Sequence, residues 1–168
     1  MQRMILITNG TIGDWKLFKE LALYLDTISV SIDTYSSECS AFLRDEGIFE
    51  KIILNIKQMR ENGLNVSILP TIHHKNVKEM SKYIKLAESL GTEISFSIFT
   101  TGQEKIYKDY ILSQKDLIEI AKHFMNYGMT VNDVPINNTM EGKRHCGTGC
   151  SMISIGADGS IYPCHMLM

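Results

Sequence analysis

Three of the four cysteines in this sequence crowd toward its C-terminus, as Cys146, Cys150 and Cys164, with His145 before the first and His165 after the last. Thiolates are soft ligands suited to zinc or to iron–sulfur clusters. Between the second and third cysteines, Met152–Ile155 alternates apolar and polar residues, Ala157-Asp158-Gly159 carries hairpin-turn chemistry, and Ile161-Tyr162 supplies a return strand. Such a hairpin returns Cys164 beside Cys146 and Cys150, which is what a metal knuckle needs. Other readings stand beside an iron–sulfur site. Disulfides are not expected, because no secretory signal is present and the composition is that of an intracellular protein. A zinc ribbon, with His165 or His145 as the fourth ligand, ordinarily pairs two short C-x2-C knuckles, whereas the spacing here is C-x3-C and then one cysteine. Buried free cysteines remain the third alternative.

The elements that would carry such a knuckle fit one domain's worth of chain. At 168 residues it is long enough to bury a core. A net charge of −2 gives no basic field for nucleic acid or an anionic membrane. No apolar run approaches the roughly 18 residues of a membrane span, and cysteines without a secretory signal point to the reducing cytoplasm.

Strand and helix patterns alternate along the chain. Met4–Ile7 is a short apolar run ending in Thr8-Asn9-Gly10, which suits a buried strand and its exit turn. Asp14 can cap a helix with Trp15, Phe18, Leu21, Ala22 and Leu25 at helical spacing. Ile28–Ile32 is a second strand stopping at Asp33, and Ile48, Ile52, Ile56 and Met59 mark a helix closing at Gly63. Val66–Leu69 predicts a third strand broken by Pro70, followed by a helix from Val77 to Leu90 and a fourth strand over Ile94–Phe99. Ser113-x-x-Asp116 has capping-box spacing and opens a helix ending at Gly128; Met129–Val131 is a candidate fifth strand. The stretch from Pro135 to Arg144 has no apolar period and reads as a linker.

Strand–helix alternation with apolar strands implies α/β architecture: a parallel sheet with right-handed crossovers. Ligands on such sheets bind at the carboxyl ends of the strands. Asn9, Asp33, the Pro70–Asn76 loop and the Thr100–Gly102 loop therefore share one rim. His73 and His74 diverge on an extended segment and read as exposed loop histidines, and Cys39 reads as structural.

Several of these segments resemble the radical S-adenosylmethionine (SAM) superfamily. Cys146-x12-Gly159-x4-Cys164, with Asp158-Gly159 and Tyr162-Pro163-Cys164, is similar to the opening of that family's SPASM/Twitch extension, written C-x9–15-G-x4-C. Thr8-Asn9-Gly10 resembles the end of the family's third strand, and Ser29-Val30-Ser31-Ile32-Asp33 its fourth, commonly V-S-I-D. Leu43-Arg44, Gly47-Ile48-Phe49 and Asn76 fall where the family carries Leu/Ile-Arg, G-x-F and the asparagine after the fifth strand. The resemblance covers nearly the whole chain.

It implies a partial parallel (β/α) barrel, strands three to six of the core, over residues 1–134, then a linker and a β-hairpin metal knuckle over 135–168. It further implies that Cys146, Cys150 and Cys164 hold an auxiliary 4Fe–4S cluster. Ser31 and Arg44 would contact the cofactor's aminocarboxypropyl and ribose groups, with Asn9 and Asp33 beside them; chemically, a guanidinium fork suits a carboxylate and a hydroxyl suits ribose. His165 stands where sulfatase maturases carry an aspartate presumed to be a base, and an imidazole can move protons near neutral pH. The implied function is that of a maturase acting on a ribosomally made peptide or protein side chain, thioether-forming more than sulfatase-maturing. The intact enzyme would use SAM, a second 4Fe–4S cluster and an electron donor such as ferredoxin or flavodoxin. The family's C-x3-C-x2-C loop and Gly-Gly-Glu-Pro segment have no counterpart in this sequence. The chain therefore resembles the middle of a longer enzyme and is not expected to cleave SAM by itself. A different class stays open: a non-catalytic α/β domain whose zinc knuckle docks a partner protein.

Overall fold

The computed structural model describes residues 4–36, 48–127 and 153–163. Two compact units divide the chain, residues 1–136 and 137–168.

In the first unit, β1 (Ile5–Thr8), β2 (Thr27–Ile32) and β3 (Val66–Ile72) lie side by side in chain order, all parallel. Beyond β3 come two short strands, β4 (Glu93–Ile94) and β5 (Ser97–Ile98), both parallel to it. Because strand order follows chain order, every crossover has the same sense and the helices fall on one face. Those helices are α1 (Trp15–Leu21), α2 (Ile48–Glu61), α3 (Met80–Leu90) and α5 (Gln114–Asn126), with a short α4 (Glu104–Tyr107) between. The sheet curls into a half-barrel, the partial α/β barrel expected from the sequence.

Local chemistry sets the helix ends. Asp14 caps α1 through Oδ1, which accepts from the N–H groups of Lys16 and Leu17 at 2.9 and 3.3 Å. Ser113 and Asp116 form a complete capping box at the start of α5. A 3-10 turn over Val77–Glu79 leads into α3, which closes on Gly91.

The core lies between the helices and one face of the sheet. Ile28, Val30, Ile32, Ile68 and Ile72 point there and are 0–2% exposed. They meet Ile52, Ile56 and Met59 of α2 and Met80, Tyr83, Ile84 and Ala87 of α3 in one cluster. Fully burying each aliphatic side chain contributes about 1.5–3 kcal/mol.

Two strand expectations change. Pro70 does not break β3, which runs on to Ile72 and pairs Pro70 with Ile32 of β2. The fourth strand, expected over Ile94–Phe99, is instead split into β4 and β5. Both changes have one cause. Ser95 N–H donates to the Ile68 carbonyl and Phe99 N–H to the Ile72 carbonyl, so even-numbered residues of β3 turn their polar backbone toward this neighbour. Pro70 is the even residue between them and has no N–H to give. The ladder therefore lapses opposite it, while the register on either side is unchanged.

In the second unit, β6 (Ser154–Ile155) and β7 (Ile161–Tyr162) pair antiparallel around the expected turn. Gly156 N–H donates to the Ser160 carbonyl at 2.8 Å, and Asp158 accepts from Ser160 N–H and Oγ–H at 3.0 and 2.8 Å. The candidate strand at 129–131 and the linker at 135–144 lie outside the described residues.

Candidate functional site

Alternate residues of the same strands build the other face of the sheet. The register aligns Ile7 with Ser29 and Ser29 with Ser67, then Ser31 with Leu69 and Thr71 with Ser97. These side chains stand opposite the helix-packed Ile28, Val30 and Ile32, because strand side chains alternate. This face carries hydroxyls: Ser29, Ser31 and Thr71 are half-buried, and Ser67 is 4% exposed. Among the described residues, Ser67 Oγ is the buried side-chain atom with no hydrogen-bond partner. A buried hydroxyl in that state carries a desolvation cost that no hydrogen bond offsets.

The rim begins at the exit of β1. Thr8 Oγ1 accepts from Gly10 N–H at 3.2 Å, and Asn9 Oδ1 accepts from Thr11 N–H and Oγ1–H at 3.1 and 2.8 Å. Gly10 has φ of 69°, and a Cβ there would come within 2.6 Å of Val30 Cγ1 and 3.3 Å of Ile52 Cγ2. Glycine is required both by that backbone and by the contact. Its carbonyl accepts from Asn55 Nδ2 at 2.8 Å, and Asn55 is 3% exposed within α2. Asn55 therefore fastens the Thr-Asn-Gly turn to α2. Sequence reasoning missed it, although a polar residue beside Ile52, Ile56 and Met59 on an apolar stripe is a detectable signal.

At the exit of β2, Ser31 is half-buried and Asp33 follows on the rim. The Asp33 carbonyl accepts from the Tyr83 hydroxyl at 3.2 Å. Tyr83, 1% exposed, also meets the edge of Tyr35 at a centroid distance of 5.4 Å. Burial pushes the Tyr83 hydroxyl up to about 12. Lys82 Nζ reaches the Tyr35 hydroxyl at 3.0 Å and Glu79 Oε1 at 3.1 Å.

At the exit of β3, Asn76 ties the loop together. Its Oδ1 accepts from His73 N–H at 2.8 Å, and its Nδ2 donates to the Thr71 carbonyl at 3.0 Å and to Tyr83 Oη at 3.4 Å. His73 is 6% exposed, a correction to the expectation of two exposed loop histidines. Its Nδ1 accepts from Lys75 N–H at 3.2 Å, and its ring meets Tyr110 edge-on at 5.1 Å. Burial, helped by the positive charges of Lys75 and His74, lowers the His73 imidazole to about 4. His74 turns the other way, with Nδ1 at 2.8 Å from Asp116 Oδ2. Burial raises the Asp116 carboxyl, but hydrogen bonds from Ser113 and His74 outweigh it and hold the group at about 2. The loop after β5 adds Phe99, Tyr107 and Tyr110, whose rings pack against one another.

Asn9, Ser31 and Asp33 thus stand at the carboxyl ends of the adjacent strands β1 and β2. Arg44, Cys146, Cys150, Cys164 and His165 lie outside the described residues. Among the described residues, no group of three metal-ligating side chains is assembled, and no helix is long and apolar enough to cross a membrane.

A parallel half-barrel with hydroxyls on one sheet face and a polar rim at its strand ends is an α/β scaffold of the kind that binds ligands at its strand ends. The chain belongs to the radical SAM superfamily, whose model matches residues 1–87. The subtilosin biosynthesis protein AlbA of Bacillus subtilis (strain 168) is 27% identical over 97% of this chain and 38% of its own length. The structure of native anSMEcpe with bound AdoMet superposes with a TM-score of 0.68 at 20% identity, over 96% of this chain and 50% of that one. Streptococcus suis SuiB bound to precursor peptide SuiA gives a TM-score of 0.61 at 13% identity, over 95% of this chain and 42% of that one. The chain therefore spans half or less of the length of these relatives. Family membership brings SAM and a 4Fe–4S cluster as cofactors. The half-buried hydroxyls of Ser29, Ser31 and Thr71 are of the kind that fits the first of these, since SAM offers a carboxylate, an ammonium and a ribose diol.

Proposed function

We propose that the chain is the central part of a radical SAM enzyme that modifies a peptide or protein side chain. The observation that carries this reading is the row of half-buried hydroxyls, Ser29, Ser31 and Thr71, beside the Asn9, Ser31 and Asp33 rim. In this reading residues 1–134 form the cofactor-binding half-barrel and 135–168 open a SPASM/Twitch-type domain. Ser31 and Arg44 hold the cofactor's polar groups, and Asn9 and Asp33 shape the edge around them. Cys146, Cys150 and Cys164 hold the auxiliary 4Fe–4S cluster, and His165 moves a proton beside it. Bound SAM, with a reduced cluster and an electron from a ferredoxin or flavodoxin, supplies one-electron hydrogen-abstraction chemistry. The protein's own residues bind, orient and shield.

A peptide substrate is supported by the peptide complex of SuiB and by the role of AlbA in bacteriocin biosynthesis. A histidine rather than an aspartate at position 165 favours thioether formation over sulfatase maturation. None of the four cysteines forms the C-x3-C-x2-C loop, so this chain alone yields no 5′-deoxyadenosine.

Two measurements test the reading. Anaerobic reconstitution with iron and sulfide should give a brown protein of low iron occupancy, and the triple Cys146, Cys150, Cys164→Ala variant should be colourless. Full colour in the triple variant removes the cluster assignment, and stoichiometric zinc without sulfide makes the hairpin a zinc knuckle. Calorimetry of the intact enzyme should show SAM binding weakened about ten- to a hundredfold by Arg44→Ala, as loss of a charge-assisted hydrogen bond worth roughly 1.5–3 kcal/mol requires. Unchanged affinity takes Arg44 out of the site.

A further inference from the structure

We propose that Tyr83 is a positioning residue for the rim, its hydroxyl holding the end of β2 and the loop after β3 in one arrangement. The inference rests on the reading of that rim as the SAM edge. Tyr83 lies on α3, on the helix side of the sheet. Its hydroxyl nevertheless donates to the Asp33 carbonyl at 3.2 Å and accepts from Asn76 Nδ2 at 3.4 Å. Asn76 in turn holds the Thr71 carbonyl and His73 N–H. One side chain therefore joins the backbone of two neighbouring strand exits that no backbone ladder links, since β2 and β3 pair only as far as Ile32 and Pro70. The ring is fixed by burial and by its edge contact with Tyr35. With the hydroxyl raised to about 12, it keeps its proton across the physiological range and stays a donor. A shift of the His73–Asn76 loop must then move Asp33, one residue beyond Ile32 and two beyond Ser31.

The test uses Tyr83→Phe in the full chain, which keeps the ring and deletes the hydroxyl, with Tyr35→Phe as comparison. Hydrogen exchange read by mass spectrometry needs no ligand. Tyr83→Phe should speed exchange about three- to tenfold in residues 33–36 and 73–76 together, the range that loss of one neutral hydrogen bond gives. Residues 66–68 should not accelerate beyond what a drop of a few degrees in melting temperature gives, and Tyr35→Phe should leave the 73–76 loop as it is. Acceleration in neither loop, in one alone, or equally throughout the chain overturns the link. SAM titration of the intact enzyme is the second arm, with affinity expected to fall about three- to tenfold in Tyr83→Phe. Equal affinity overturns the cofactor-positioning role. No binding by the unsubstituted intact enzyme would instead sink the SAM reading of the rim, and the exchange data would still decide the link.

Discussion

The two faces of the sheet are made by alternate residues of the same strands, and they differ in almost every physical respect. On the helix face, Ile28, Val30 and Ile32 of β2 are 0–2% exposed and packed against α2 and α3. On the other, Ser29 and Ser31 of the same strand are half-buried, and their neighbour Ser67 carries a buried hydroxyl with no partner. One face is saturated with apolar contacts and the other carries polar, half-buried side chains. Stability is concentrated on the first and recognition is open on the second, as expected when a rigid scaffold carries a site.

Four substitutions or titrations can break or sharpen that contrast. The largest effect should come from the saturated face: Ile68→Ala, at 0% exposure, should cost about 2–5 kcal/mol in urea unfolding. A loss under 1 kcal/mol would show that this face repacks freely and is not the stabilising one.

Next is the clamp between the faces. Asn55→Ala leaves the Gly10 carbonyl without its 2.8 Å donor and should cost about 1–3 kcal/mol. Proteolysis or hydrogen exchange at residues 8–14 should rise more than elsewhere; a uniform rise would deny Asn55 its local role.

A smaller effect follows from His73. Its folded value is about 4, below the ordinary 6.5, so the folded form refuses a proton that the unfolded chain accepts. Stability from this group is complete above about pH 6.5 and is lost as pH falls toward 4. The melting temperature of the parent should therefore decline over that window more steeply than that of His73→Asn, which retains an acceptor and does not titrate. Parallel profiles would place the acid sensitivity elsewhere. Asp116, held at about 2, gives stability that is complete above its ordinary 3.8 and is lost only as pH falls below it, outside that window.

The smallest effect belongs to the hydroxyl-bearing face. Ser67→Ala removes an unsatisfied buried hydroxyl and should be neutral or stabilising, within about 1 kcal/mol by urea titration. A clear destabilisation would mean that the Oγ is paired and the face is less open than described.

Much of this could be read from residue order alone. Periodicity located β2, α2 and α3, because 3.6- and 2-residue repeats survive wherever one side of an element meets a core; β1, read from an unbroken apolar run as a buried strand, instead leaves Ile5 and Ile7 53% and 46% exposed. Asp14 and the Ser113–Asp116 box announced helix starts through purely local hydrogen bonds. The hairpin turn at 157–159 was equally local. Asn9, Ser31 and Asp33 could be assigned to one rim because parallel order fixes which strand ends coincide. Their contacts beyond neighbouring residues could not.

Tertiary structure decided what depends on partners distant in sequence. Pro70 looks like a strand breaker in isolation, yet β3 passes through it because its pairing with β2 does not use the missing N–H; the lapse appears on the opposite neighbour, at residues 95–96. His73 and His74 are adjacent and equivalent on paper, but one is buried against Tyr110 and the other meets Asp116, 42 residues away. Asn55, 45 residues from the glycine it holds, and Tyr83, 50 from the carbonyl it holds, are ordinary helix positions until the fold brings α2 and α3 under the strand ends. The sequence by itself determined which elements form and in what order, since those follow from local propensity and pattern. Which polar groups found one another was settled by packing, because a hydrogen bond acts only over the few ångströms that folding closes.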